Sequence, residues 1–181
     1  MEPLITQDLC LRPFEMNDSA DFVAAALEST STIGAWMPWC HDRYSDNEAQ
    51  SWFEECAQNL ASGFAYDFGI FSADGKELFG GIAINQLDQE HNFGNVGYWV
   101  RQTRQRQGIA FRAVETIVRF GFGHLGLTRL EIVVAEKNEA SRRVAEKVGA
   151  ILECVARNRL IIRGQPCDAA VYSLVPRQYG F

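Results

Sequence analysis

The amino-acid sequence predicts an α/β fold, a mixed sheet of about seven strands with helices on both faces. Two helical segments follow the first strand, three strands come next, and strand and helix then alternate before a closing strand pair. Asp74-Gly75 sits between two apolar strand-like runs and marks a hairpin. Ser45-Asp46-Asn47-Glu48 is a capping box that fixes where the second helix begins.

Each element follows in order. Leu9-Cys10-Leu11-Arg12 reads as the first strand. Asn17 or Asp18 caps a helix running through Leu27. The stretch from Thr30 to Tyr44 is irregular and aromatic, with Trp36-Met37-Pro38-Trp39-Cys40-His41 at its centre. The capped helix runs to about Ala61 and stops near Gly63. Strands are expected over 65–72, 78–87 and 95–100. A helix opening at Gly108 carries Ile109, Ala113, Ile117 and Phe120 at helical spacing. Leu130 to Val134 reads as a buried strand, 139–148 as a helix stopped by Gly149, and 152–162 with 168–175 as a last pair around Arg163-Gly164-Gln165-Pro166.

The 181 residues suit one domain, 1–181, with a substantial core. At 47% apolar and 22% charged, the chain has the composition of a soluble globular protein. No apolar run approaches the roughly 20 residues that cross a bilayer, and Met1-Glu2-Pro3 does not open a signal peptide. Five cysteines form no C-x-x-C pair, which favours free thiols in a cytoplasmic setting. The three histidines have no zinc-like spacing, so no metal is expected. The net charge of −6 is divided: residues 1–100 hold 3 Lys/Arg against 16 Asp/Glu, residues 101–181 hold 14 against 7. A solvated acidic surface accounts for this as well as function does. The functional reading pairs a basic half with an anionic ligand and an acidic half with a cationic amine. The overall acidity disfavours direct nucleic-acid binding.

Gln105-Arg106-Gln107-Gly108-Ile109-Ala110 follows an aromatic strand and opens a helix. It fits Q/R-x-x-G-x-G/A, in which small residues let backbone amides approach a pyrophosphate while the helix dipole adds attraction. Arg101, Arg104 and Arg106 add nearby positive charge. The six residues alone are a weak signal. The preceding strand and the distant Asn138-x-x-Ser141 make it a strong one. Gly121-Phe122-Gly123-His124-Leu125-Gly126 fits a dinucleotide fingerprint literally, but it ends a helix instead of opening one, so it reads as a glycine-rich helix exit.

On these residues the chain resembles the GCN5-related N-acetyltransferases (GNAT superfamily), and within them the RimJ/RimL branch. The resemblance covers nearly the whole chain through Leu9 to Pro13, Gly97-Tyr98-Trp99, Gln107-Gly108-Ile109, Leu130-Glu131-Ile132 and Asn138-x-x-Ser141. It implies a mostly antiparallel sheet with one splayed parallel pair and acetyl-CoA as co-substrate. Tyr98, Trp99 and Val100 would lie along the pantetheine arm, and Gln105 to Ala110 on the pyrophosphate. Asn138 and Ser141 would act near the thioester, with direct attack by an amine. It also implies a protein N-terminus as acceptor, ribosomal proteins among them, and a homodimer. Many members carry a tyrosine acid where Ala145 stands here, so Ser141 inherits the role of steadying the leaving thiolate. As a helix-start serine it is equally suited to capping. Positions that hold a carboxylate base in relatives fall on Arg159, Leu160 and Asn95.

The missing base bears on the acceptor. An α-amine with pKa near 8 is roughly a tenth to a third neutral at physiological pH, whereas a lysine amine is neutral at about one part in a thousand. An N-terminal amine therefore fits better. His41 is the leading candidate for assistance, ahead of Asp42 and Asp168, and each has a structural role as its ordinary explanation. Trp36, Trp39 and Tyr44 are the expected acceptor wall, or else the closure of a core beneath the loop. Acetylation of a polyamine or antibiotic, and acyl-CoA binding without catalysis, are the competing readings.

Overall fold

A computed structural model describes all 181 residues. Eight strands form one sheet: β1 (Leu4–Ile5), β2 (Leu9–Arg12), β3 (Tyr66–Ser72), β4 (Leu78–Asp88), β5 (Phe93–Val100), β6 (Arg129–Ala135), β7 (Ile151–Ile162) and β8 (Gln165–Leu174). Their order across the sheet is β1-β2-β3-β4-β5-β6-β8-β7, antiparallel everywhere except between β5 and β6. The helices are α1 (Ser19–Glu28), α2 (Asp46–Ser62), α3 (Ile109–Gly123) and α4 (Glu139–Lys147). The sequence anticipated seven of the strands. The eighth, β1, is two residues long, too short to show alternation, and pairs with Leu11 and Cys10.

Strand alternation sends two residue sets to opposite faces. Leu9, Leu11, Phe68, Ile70, Ile82, Ile84, Val96, Leu130, Ile132 and Tyr172 meet α3 and α4. Cys10, Phe71, Leu78 and Trp99 meet α1 and α2 in a smaller, aromatic layer with Phe22 and Phe53. There Phe14 stacks on Phe53 at 4.7 Å between ring centroids, and Phe22 meets Phe53 edge-on. The Ser45 capping box forms as the sequence indicates, and Gly63 ends α2 in the left-handed region. The glycine-rich exit is more helical than its composition implies. Gly121 and Gly123 lie inside α3, and a Cβ at Gly121 would come within 2.9 Å of Ile84 and 3.0 Å of Leu130, so a missing side chain lets the helix press on the sheet. No helix is long and apolar enough to cross a membrane.

Candidate active site

The one parallel contact is brief. β5 and β6 pair only from Phe93–Asn95 to Arg129–Glu131. Beyond that row β5 stays with β4 as far as Gly80–Val100, while β6 stays with β8 as far as Ala135–Ala169. A bulge between Asn85 and Asp88, with Gln86 in the left-handed region, twists β4 at this row. The two parallel strands therefore part like a fork, and the β6-facing edge of β5 past Asn95 is left without a strand partner.

α3 begins on this side of the fork. Gly108 is its N-cap with φ 73°, and Arg106 is also left-handed at φ 61°. The backbone N–H groups from Arg106 to Phe111 donate to no carbonyl in the chain, the ordinary condition of a helix start. The loop feeding them is held firmly. Gln105 donates from Nε2 to the Val100 carbonyl at 2.9 Å and to Thr32 Oγ1 at 3.2 Å, so its side chain anchors the loop. Arg101 donates to both carboxylate oxygens of Glu28 at 3.0 and 2.7 Å, and Thr103 adds its amide and hydroxyl to Glu28 Oε1. These bonds, Arg101 foremost, hold the Glu28 carboxyl at about 2. Arg104 is likewise paired with Glu77. Of the three arginines that the sequence places near the loop, two are thus neutralised by Glu28 of α1 and Glu77 of the β3–β4 turn, and Arg106 stays exposed.

Across the fork, Asn138 is the N-cap of α4 and accepts from the Ser141 amide at 3.2 Å. Ser141 Oγ lies 2.9 Å from the Tyr98 hydroxyl, which also donates to the Ser141 carbonyl at 3.0 Å. β5 and α4 are therefore joined across the open fork by two hydroxyls. Burial is the main cause that pushes the Tyr98 phenol up to about 12, so it stays a proton donor at neutral pH. Ala145 is fully buried. Its position offers no acid, and the phenol at the fork comes from β5.

On the opposite face a cavity of about 600 Å³ lies between the sheet and α2 with the α1–α2 loop. Gly81, Ala83 and Gly97 make its floor, and Trp39, Tyr44 and Trp99 are among its aromatic walls. Tyr98 reaches it too, so cavity and fork share one stretch of β5. Its charged lining is entirely acidic: Glu48, Glu55 and Asp67. Asp67 is 8% exposed, and burial first, then Glu55, raises its carboxyl to about 6. The Arg163 guanidinium at the β7–β8 turn donates to the Gly34 carbonyl at 2.7 Å and so pins that hairpin to the α1–α2 loop.

The sequence-derived candidates separate here. Trp39 and Tyr44 reach the cavity, whereas Trp36 is not part of its lining and Met37 is. His41 is also outside the lining: its Nδ1 accepts from the Arg43 amide at 3.3 Å, which puts the ring proton on Nε2, 3.1 Å from Glu48. Asp168 accepts from the Asn158 amide at 2.8 Å. Val100 is buried at the end of β5, while Trp99 turns to the acceptor side and lies over Gly81. Glu55 and Asp67 were missed. Each looks ordinary in sequence, one on an acidic helix and one in a strand, and only the closeness of α2 to β3 brings them together.

Residues 8–151 match the acetyltransferase (GNAT) domain model. The chain belongs to this family. It is similar to a candidate ribosomal-protein-serine acetyltransferase from Vibrio cholerae, with 32% identity, a TM-score of 0.84, and 97% and 98% of the two chains covered. YdaF of Bacillus subtilis (strain 168), a candidate ribosomal N-acetyltransferase, is 26% identical over 182 residues, 97% of this chain and 95% of its own. The fold is also that of Mycobacterium smegmatis RimJ in complex with CoA-disulfide (22% identity, TM-score 0.88, 100% and 93% covered). The protein is therefore an N-acetyltransferase that uses acetyl-CoA. Its residues suit that donor: six free amides at a helix start match a diphosphate, and the unpaired edge of β5 matches an amide-bearing arm.

Proposed function

We propose that the enzyme acetylates the N-terminal α-amine of a protein of the ribosomal type, in a ternary complex, by direct attack on the thioester. The observation that carries this reading is the acidic, aromatic cavity opening onto the same length of β5 that borders the fork. A protonated amine is drawn to its carboxylates and aromatic faces, and about 600 Å³ accommodates the first residues of a peptide. Relatives named for ribosomal proteins point the same way.

On this reading the amides of Arg106 to Ala110 grip the pyrophosphate. The free edge of β5, with Tyr98, Trp99 and Val100 on it, aligns the pantetheine arm. The neutral amine nitrogen forms the new bond to the carbonyl carbon, the carbon–sulfur bond breaks, and the proton that leaves the nitrogen passes by way of Ser141, backed by Tyr98, to the sulfur. Asn138 holds the first turn of α4 so that Ser141 points at the fork. Trp39 and Tyr44 steady the incoming chain end, with Trp36 outside the pocket.

An acid-lined cavity also suits a polyamine. The deciding experiment measures thiol release with mass spectrometry of the acceptors. The panel is peptides starting with free Ser, Ala or Met, the same peptides N-terminally blocked but containing lysine, and spermidine. Acetylation confined to free N-termini is expected. Turnover of spermidine alone would sink the proposal.

A further inference from the structure

Asp67 is a carboxylate with nothing to hold. It is more than nine-tenths buried, lines the acceptor cavity, and is touched by no hydrogen bond or cation of the chain; burial and the like charge of Glu55 are the only influences on it. A buried acid without a partner is costly to ionise, so Asp67 suits a ligand or a proton.

Its place in the sheet says which. Asp67 pairs with Ala83, and Ala83 with Gly97. These three lie in one row on the acceptor face, and two of them are small. Strand spacing puts Asp67 about 10 Å from the β5 backbone, too far for direct transfer and near enough for a short chain of waters. The next row is polar. The Asn85 amide nitrogen hangs over Gly97, and Asn95 donates to Asn85 Oδ1 at 3.0 Å. The Asn95 side-chain oxygen is buried and accepts nothing, and it sits in the last row where β5 and β6 still touch. Behind Asp67 lies a second cavity of about 400 Å³, bordered by Pro13, Phe14, Cys56 and Leu60, which Asp67 also lines. An acid thus stands between two cavities, and the one on the acceptor side carries the polar Asn85 side chain beside Gly97 of β5.

We propose that Asp67 is the proton acceptor of the reaction, reached through water held in the acceptor cavity beside Asn85, and that its proton leaves by the second cavity. The inference rests on the N-acetyltransferase activity and not on which amine is acetylated. The acceptor ammonium gives its first proton to this water chain and hence to Asp67. The neutral nitrogen bonds to the acetyl carbon, the carbon–sulfur bond breaks, and the nitrogen's second proton goes to the thiolate by way of Ser141. Asp67 then releases its proton to solvent. The titratable groups that line the two cavities with Asp67 are Glu48, Glu55 and Cys56 from α2, Tyr44 from the loop, and Met1 at the second cavity; β4 contributes none, and the Tyr98 hydroxyl is turned to Ser141 on the other face.

The test compares wild type with Asp67→Asn and Asp67→Glu between pH 5.5 and 9.5, with a Ser-, an Ala- and a Met-initiated peptide and spermidine each run as acceptor. Asp67→Asn should lose on the order of a hundredfold in kcat/KM at pH 7. Most of that loss should vanish by pH 9.5, where an α-amine with pKa near 8 is already neutral. Asp67→Glu should recover part of the rate and the wild-type profile. A deficit equal at every pH, or none, overturns the proposal. A wild type that releases no thiol with any of the four acceptors overturns it together with the activity beneath it. A second readout needs no turnover. Because burial raises the Asp67 carboxyl to about 6, ionising it destabilises the fold. The Tm advantage of Asp67→Asn over wild type should therefore grow as pH rises from 4 to 7 and then level off. A flat difference would mean that the carboxylate is not buried in its charged form.

Discussion

On the proposed reading, the two sides of β5 recognise their ligands by different means. The donor side is made from backbone: free amides at the start of α3, an unpaired strand edge, and residues whose importance is their smallness or their φ. The acceptor side is made from side chains that separate elements bring together, among them α1, the α1–α2 loop, α2, β3, β4 and β5. Backbone recognition cannot be retuned by surface substitution, so it suits a ligand common to a whole family. A side-chain pocket can be remade one residue at a time, so it suits a ligand that differs between relatives. Breaking each side should therefore fail in a different way.

The largest effect is expected at Gly108. Its φ of 73° is strained for any other residue, and most of all for a β-branched one. A Cβ would also come within 3.0 Å of Arg112 Nη1. Gly108→Val should cost roughly 1–2 kcal/mol of stability and weaken CoA binding on the order of a hundredfold by calorimetry, while the protein still unfolds cooperatively. Binding within about threefold of wild type would mean that the helix start is not the pyrophosphate site.

Next comes the pair that closes the fork. Tyr98→Phe and Ser141→Ala should each lower kcat by roughly ten- to a hundredfold with little change in acetyl-CoA affinity. Because the two hydroxyls are 2.9 Å apart and act as one unit, the double variant should fall well short of the product of the two losses. Multiplicative losses in a double-mutant cycle would separate them and leave Ser141 with the proton on its own.

The same contrast explains what the sequence revealed. The cradle was legible because a left-handed glycine at a helix start, after a strand, leaves a local signature in residues 105–110. The Asn138-x-x-Ser141 pair stands out by its spacing of one helix turn, although it is Asn138 and not Ser141 that caps α4. The order of strands and helices followed from capping, hairpin and periodicity signals that lie within a few residues of each other. The acceptor chemistry had no such mark. Asp67 and Glu55 lie on different elements, and their meeting depends on how α2 packs on β3. Tyr98 was recognisable as part of an aromatic strand but not as the neighbour of a serine 43 positions later. A histidine in an aromatic loop suits proton transfer, yet the contacts of His41 run to Glu48 and Arg43. The charge division misled in detail too: Arg101 and Arg104, counted as attraction for an anion, are bound to Glu28 and Glu77.

A smaller effect is expected at the acceptor wall. Trp39 lies 5.3 Å from Trp99 and 5.8 Å from Phe22 between ring centroids. Trp39→Leu keeps most of the apolar contact and should raise the acceptor KM about tenfold without altering the Kd for CoA. Trp36→Leu, outside the lining, should do neither. Steady-state kinetics on both variants with the preferred peptide would sharpen the division. A changed Kd for CoA in Trp39→Leu would show that the two sides of β5 are not independent.

The smallest expected effect tests how the two sides are joined. Glu28, at the end of α1 on the acceptor side, receives Arg101 and Thr103 from the loop that leads into the cradle. Its folded carboxyl is held at about 2, below an ordinary 4.5. A depressed carboxylate adds stability that is present above pH 4.5 and is lost as pH falls from there through about 2. About a quarter of the side chain meets solvent, which screens the pair. The contribution is therefore on the order of 1–2 kcal/mol, less than the full shift converts to. Glu28→Gln should lower the unfolding free energy at pH 7 by that amount, read from denaturant titrations, and the difference should shrink toward zero near pH 2. At pH 7 the loosened loop should cost a few-fold in CoA affinity, because its amides must be ordered again on binding. If stability falls but CoA affinity does not, the ion pair braces α1 against the sheet and plays no part in presenting the amides.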